Sequence, residues 1–296
     1  MPLRLFCFGL GFSALTLARR LLRAEEGWRV AGTCRSEDKQ AALRAEGIEA
    51  FLFDRGRPLD DAGAAAFAGT TYLLSSVPPD AAGDPVLDHH AADIARLGGA
   101  LAWAGYLSTT GVYGDRGGAW VDEHAERTPS GERGRRRVAA EDGWLALWRE
   151  HRVPAHLFRL AGIYGPRRSA LDVVRSGRAK RIDKPGQVFS RIHVEDIASV
   201  LRASIARPDP GATYNVCDDD PAPPAEVTAF ACELLGAPMP PLVPLEEAGL
   251  SPMARSFYDD VRRVDNGRIK RDLGVRLAYP DYRTGLTALL AAERES

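Results

Sequence analysis

Lysine is scarce in this chain. Of its 39 basic residues only four are lysine (Lys39, Lys180, Lys184 and Lys270), and none lies between positions 39 and 180. Any mechanism that needs a side-chain amine in the middle of the chain is thereby excluded. An excess of one charge is also missing. The 39 basic residues face 40 acidic ones, for a formal net charge of -1, whereas general binders of nucleic acid or of membrane surfaces carry a basic surplus. Cysteine is sparse, and Cys7, Cys34, Cys217 and Cys232 match neither a zinc spacing nor a CxxC pair. They read as reduced thiols of a cytoplasmic protein. No apolar run reaches the roughly 18 residues that a membrane-spanning helix needs. The opening stretch, Met1 to Ala18, reads better as strand, glycine turn and helix than as a signal peptide.

What is present is ordinary for a globular chain: 45% hydrophobic and 27% charged residues over 296 positions, enough for one large or two modest domains. Apolar runs and helical spacing alternate. Strands are expected at residues 3–8, 28–33, 48–53, 71–77, 101–108 and 155–160. Helices are expected after Ala14 and over 39–46, 88–98 and 137–149. This alternation predicts an α/β fold: a Rossmann-type, doubly wound parallel sheet with right-handed crossovers. Proline-rich stretches at 221–224 and 238–244, with helical patterns and few strands between and beyond them, suggest a smaller second domain.

Gly9-Leu10-Gly11-Phe12-Ser13-Ala14 has the shape of a dinucleotide-binding turn. Gly9 permits the tight turn, Gly11 lets backbone approach a pyrophosphate, and the small Ala14 lets helix and strand pack closely. The helix N-terminus offers free N–H groups to the phosphates, with Phe12 and Ser13 in its first turn. The second expected strand ends in Cys34-Arg35-Ser36, where an NAD site usually places a carboxylate for the ribose 2′-hydroxyl. A guanidinium there pairs with a 2′-phosphate, so NADP is expected over NAD, with Arg35 and Ser36 in contact. The other reading of Arg35 is a solvated charge lying on the adenine. Asp54 and Arg55, after the third strand, belong to the adenine edge unless Asp54 is only a loop cap. Ser75, Ser76 and Val77, closing the fourth, complete the expected cofactor set.

Four segments carry a resemblance. They are Ser108-Thr-Thr-Gly-Val-Tyr-Gly-Asp115, Phe158-Arg-Leu-Ala-Gly-Ile-Tyr-Gly-Pro166, Arg191-Ile-His-Val-Glu-Asp-Ile-Ala198 and Tyr214-Asn-Val-Cys-Asp218. Together with the opening turn, and in this order, they resemble the extended short-chain dehydrogenase/reductase family, also called the NAD-dependent epimerase/dehydratase family. Asn266-Gly-Arg-Ile-Lys270-x-x-Leu273-Gly274 is similar to its substrate domain. The resemblance implies a cofactor domain from 1–160 plus about 188–218, and a substrate domain from about 161–187 plus 219–296. It also implies a small-molecule substrate, often a nucleotide sugar, and a monomer or homodimer.

In that family a Ser or Thr four residues before the V-Y-G tyrosine bonds the reacting oxygen, which implies Thr109. A Tyr-x-x-x-Lys pair then follows at the start of a helix. The matching stretch here is Arg133-Gly-Arg-Arg-Arg137-Val-Ala-Ala-Glu141, with Arg133 at the tyrosine position and Arg137 at the lysine position. No tyrosine lies between Tyr113 and Tyr164, so no register restores the pair. Arginine keeps its proton at neutral pH and is no base. Arg137 is left with holding ribose hydroxyls or a phosphate. Tyr113 is the candidate replacement acid or base, with Asp122 and Glu123 behind it. The arginines at 127, 133 and 135–137 form either a solvated basic helix start or an anion site. On the second reading Ser108, Arg133, Arg167 and Arg191 contact an anionic substrate. His193 reads as a packed strand histidine, and Asp88-His89-His90 as a helix start rather than a metal site. Two functions stay open: an NADP-dependent oxidoreductase, epimerase or dehydratase with a non-standard acid/base, and a non-catalytic NADP-binding regulator or scaffold.

Overall fold

The structure, a computed structural model, describes residues 3–24 and 26–294. The first half alternates strand and helix: β1 (Arg4–Phe8), α1 (Phe12–Leu22), β2 (Arg29–Cys34), α2 (Glu37–Ala45), β3 (Glu49–Leu52), α3 (Asp61–Ala68), β4 (Tyr72–Ser75), α4 (Pro85–Leu97), β5 (Trp103–Thr109), β6 (Trp120–Val121) and α5 (Glu132–His151). Then come β7 (Ala155–Leu160), β8 (Gly162–Tyr164), α6 (Ala170–Arg175), β9 (Arg181–Asp183), β10 (Arg191–His193), α7 (Val194–Ala206) and β11 (Thr213–Val216). The chain closes with α8 (Pro224–Leu235), β12 (Leu242–Pro244), α9 (Pro252–Ser256), β13 (Arg263–Val264), α10 (Gly267–Arg271) and α11 (Tyr282–Arg294).

Seven strands form one parallel sheet in the order β11-β7-β5-β4-β1-β2-β3. A parallel sheet is covered on both faces, so its strands are apolar on both faces. In β1 the alternation divides cleanly. Leu5 and Cys7 enter the core under α1 and α7, while Phe6 and Phe8 enter the opposite core with Phe51, Phe53, Phe67 and Trp144. Gly32 in β2 is required by close approach, since a β-carbon there would lie 2.5 Å from the carbonyl oxygen of Cys7. A third apolar cluster joins Tyr164 at the end of β8 to Leu171, Val227, Ala231, Tyr282, Leu286 and Leu289 from α6, α8 and α11.

Helices α3 and α5 differ most from the sequence expectation in the first half. Helix α3 reads Asp-Ala-Gly-Ala-Ala-Ala-Phe-Ala and has little apolar periodicity; the Asp60 carboxylate, accepting from the Gly63 N–H at 2.7 Å, starts it. Helix α5 begins at Glu132 rather than at 137, because Glu132 pairs with Arg135 and Arg136 one turn on and supports a first turn of charged residues. Among the described residues no helix is long and apolar enough to cross a membrane.

Candidate functional site

The C-terminal ends of β1, β4 and β5 bring the opening turn, the β4 loop and the Thr109 segment to one edge of the sheet, where open α/β sheets bind ligands. Gly9 has φ +83°, a backbone only glycine adopts without strain, and a β-carbon there would lie 3.1 Å from Val77 Cγ2. Gly11 is different. Its φ of -83° and ψ of -167° suit any residue, and a β-carbon would meet nothing closer than Ser76 Oγ at 3.9 Å. Protein packing therefore gives no reason for the missing side chain.

Helix α1 starts at this point with no side-chain cap, so its first-turn amides face the turn without a protein partner of that kind. Ser13 and Ala14 are buried beneath it. Ser76 and Val77 back the turn from β4. These residues fit a dinucleotide pyrophosphate, which needs free N–H groups and a cradle without side chains.

At the end of β2, Arg35 and Ser36 are exposed, and Arg35 has no ion pair among the described residues. Ser36 is the N-cap of α2, yet its side chain makes no cap hydrogen bond. Asp54 accepts from the Gly56 N–H and closes its own loop. Two expected cofactor contacts are corrected. Arg55 is taken up by Asp80 (2.6 Å) and Asp88 (2.8 Å), so its charge is already spent. Ser75 is completely buried inside the sheet.

Thr109 ends β5, and its Oγ1 accepts from the Gly111 N–H at 3.1 Å, which leaves the hydroxyl proton to be donated elsewhere. Arg137, one turn into α5, reaches the same strand end. Its Nη1 donates to the Leu107 carbonyl (2.5 Å) and to the Tyr106 hydroxyl (3.2 Å). Helix α5 therefore delivers a guanidinium to the end of β5, where the family resemblance implied an amine.

Ser108 and Tyr113 do not reach the cleft, which corrects the expectation for both. Ser108 Oγ donates to Glu141 at 2.6 Å inside the core. Tyr113 has no exposed surface; its hydroxyl donates to Asn215 Oδ1 at 2.6 Å and accepts from Arg159 Nη1 at 2.9 Å. Burial pushes this phenol up to about 12, against the pull of Arg159, so it is neither a base nor accessible. Arg159 forms a buried two-pronged pair with Glu141 (3.1 and 2.8 Å), and Arg127 adds a second cation. Burial works against the Arg159 charge, but Glu141 holds it above its usual value. Sequence reasoning missed Glu141 and Arg159. The available signal was Glu141 itself, one turn beyond Arg137 and on the same helix face.

The basic segment is mostly neutralised. Arg135 and Arg136 pair with Glu132, and Arg127 with Glu141 and Asp142. Arg133 is exposed without an ion pair among the described residues. Arg167 sits in left-handed backbone, φ 61°, at the tip of a tight hairpin. Arg191 donates to the carbonyls of Phe189 and Ala222 through Nη1. Asp122 caps its own loop and Glu123 accepts from the Asn215 N–H, so both support structure. His193 Nδ1 accepts from the Glu195 N–H, and burial pushes its pKa down to about 4. Unforeseen was Asp218, which is buried with neither carboxyl oxygen hydrogen-bonded and is pushed by burial up to about 8, despite the nearby Arg191.

No family model matches the chain. A solved structure of a functionally unknown conserved protein from Silicibacter pomeroyi DSS is 54% identical, covers 98% of both chains and superposes with a TM-score of 0.89. Protein YeeZ of Escherichia coli (strain K12) is 28% identical over 284 residues, 92% of this chain and 95% of that one. UDP-glucuronic acid 4-epimerase from Bacillus cereus, solved in complex with NAD, shares the fold over 99% of both chains, with a TM-score of 0.75 at 14% identity. The chain belongs to one family with the Silicibacter pomeroyi protein, and its fold is that of the NAD-dependent epimerases and dehydratases.

Proposed function

We propose that this protein binds NADP along the β1–α1 turn and works as an oxidoreductase or epimerase on a small anionic substrate, the nucleotide-sugar class being favoured by the neighbouring epimerase. The observation that carries the cofactor reading is Gly11, whose missing side chain no packing contact explains, at an uncapped helix start. Preference for NADP rests on Arg35, exposed and without an ion pair at the end of β2. Gly9, Gly11, Phe12, Ser13 and Ala14 would hold the pyrophosphate, Arg35 and Ser36 the 2′-phosphate, and Arg137 the nicotinamide ribose. A bound nicotinamide supplies or accepts a hydride.

This chain's own contribution is polarisation. The Thr109 hydroxyl has its proton to give, and the Arg137 guanidinium stabilises negative charge near the end of β5. Neither takes a proton at neutral pH. The apolar and polar elements from 161–187 and 219–294 form the substrate-binding unit, with Arg167 as its own cation and Arg191, bonded to the Ala222 carbonyl, reaching it from the cofactor domain. A second reading, a non-catalytic NADP-binding regulator, is favoured by one observation: Tyr113, the candidate replacement acid or base, is locked onto Asn215 and Arg159.

Titration of NADP and NAD by calorimetry tests the cofactor reading. NADP is expected to bind at least about tenfold more tightly, and Arg35→Ala to abolish the difference. Equal or tighter NAD binding overturns the preference. NADPH oxidation over a panel of nucleotide-sugar ketones then separates the two functions. Turnover lost in Thr109→Ala supports the enzyme; no turnover with any substrate, alongside tight NADP binding, supports the regulator.

A further inference from the structure

The chain leaves β8 through a hairpin in which Gly165 and Arg168 exchange backbone hydrogen bonds of 3.1 and 3.0 Å. This hairpin is pressed against the start of α1. A β-carbon at Gly165 would lie 3.1 Å from Phe12 Cζ and 2.7 Å from Val194 Cγ1, so only glycine allows the approach. The Arg168 guanidinium carbon lies 5.6 Å from the centre of the Phe12 ring. Phe12 is the first residue of α1, directly after Gly11. Arg168 is exposed, and among the described residues it has no ion pair and no hydrogen bond from its guanidinium. It contrasts with Arg55, Arg127, Arg135 and Arg159, each held by a carboxylate.

We infer that Arg168 is a positioning residue for the cofactor's pyrophosphate, delivered from the hairpin after β8 to the open side of the α1 turn. This rests on the dinucleotide reading of that turn. The turn's amides grip a pyrophosphate from one side only. A dianionic group there calls for a counter-charge, and the planar guanidinium suits phosphate oxygens in pairs. Stacking on Phe12 holds the guanidinium in place without neutralising it, so the charge is kept for the ligand. One consequence is mechanical: a bound dinucleotide would tie the β8 hairpin, and the elements that follow it, to α1.

Binding measurements on the full chain test the inference. NADP and NAD are titrated beside adenosine 2′-monophosphate, which carries no pyrophosphate. Arg168→Gln is expected to weaken the tighter dinucleotide about tenfold, leave adenosine 2′-monophosphate within about twofold, and flatten the dependence of dinucleotide affinity on salt. Arg168→Lys, which keeps the charge but not the planar fork, is expected to recover part of the loss. Melting temperatures confirm folding. Dinucleotide binding by Arg168→Gln equal to that of the parent chain overturns the inference, as does equal weakening of all three ligands, which would mark a packing role. If the parent chain binds neither dinucleotide, the cofactor reading itself falls and takes the inference with it.

Discussion

The Tyr113 hydroxyl and the Asn215 amide oxygen, 102 positions apart, meet at 2.6 Å in the core. The bond joins the segment after β5 to β11, and Arg159 of β7 completes it. A tyrosine that tempts a catalytic reading is thus a cross-brace. Tyr113→Phe should cost about 1–3 kcal/mol of stability, because it leaves the Asn215 oxygen and one Arg159 N–H buried without partners. Denaturant unfolding checks the loss. Dinucleotide affinity should stay within about twofold, and a selective loss of turnover with stability intact would return Tyr113 to the active site.

The two turn glycines should separate in experiment. Gly9→Ala forces a side chain into φ +83° and against Val77, and should cost about 1–3 kcal/mol. Gly11→Ala meets no such obstacle, so its stability should change by no more than about 0.5 kcal/mol. Its dinucleotide affinity should nevertheless fall about tenfold or more. Thermal melts and calorimetry on the same preparations make the comparison.

Asp218 gives the fold a pH dependence. Its carboxyl titrates at an ordinary 3.8 when unfolded and is held up to about 8 by burial when folded. Between those values the folded chain keeps a proton that the unfolded chain has released, so stability falls as pH rises from about 4 to about 8. The slope is at most about 1.4 kcal/mol per pH unit. Asp218→Asn keeps the shape and removes the titration, so its melting temperature should gain on the parent chain steadily from pH 5 to pH 8. A difference that does not vary with pH would contradict this assignment.

Arg167 stands at φ 61°, where a β-carbon is crowded. Arg167→Gly should stabilise the fold by about 0.5–1 kcal/mol, read by chemical denaturation. If Arg167 also meets the substrate's anion, the same variant should weaken substrate without weakening dinucleotide.

The sheet was legible because buried parallel strands are apolar runs, and β7 falls where the pattern places it, at Ala155–Leu160. The helix α3 was not, because an alanine-glycine sequence has almost no face. At the site, the turn glycines were legible because their chemistry is local. Side-chain direction was not. Successive strand residues point to opposite faces, so Ser108 and Thr109 could not both have met the same ligand. Glu141 decided which of them turns inward. Arg168 went unnoticed beside Arg167 because only the folded hairpin shows which arginine stacks on Phe12.

The sheet order has a consequence for synthesis. β11 covers the outer edge of β7, although more than fifty residues separate the two in the chain. Until the ribosome has released residue 216, β7, with all six residues buried in the finished fold, is an open edge with free backbone donors and acceptors. A nascent chain paused in that interval, or a fragment cut near residue 210, presents a ready template for pairing with another chain. That interval is one window of exposed strand edge in the protein's own translation.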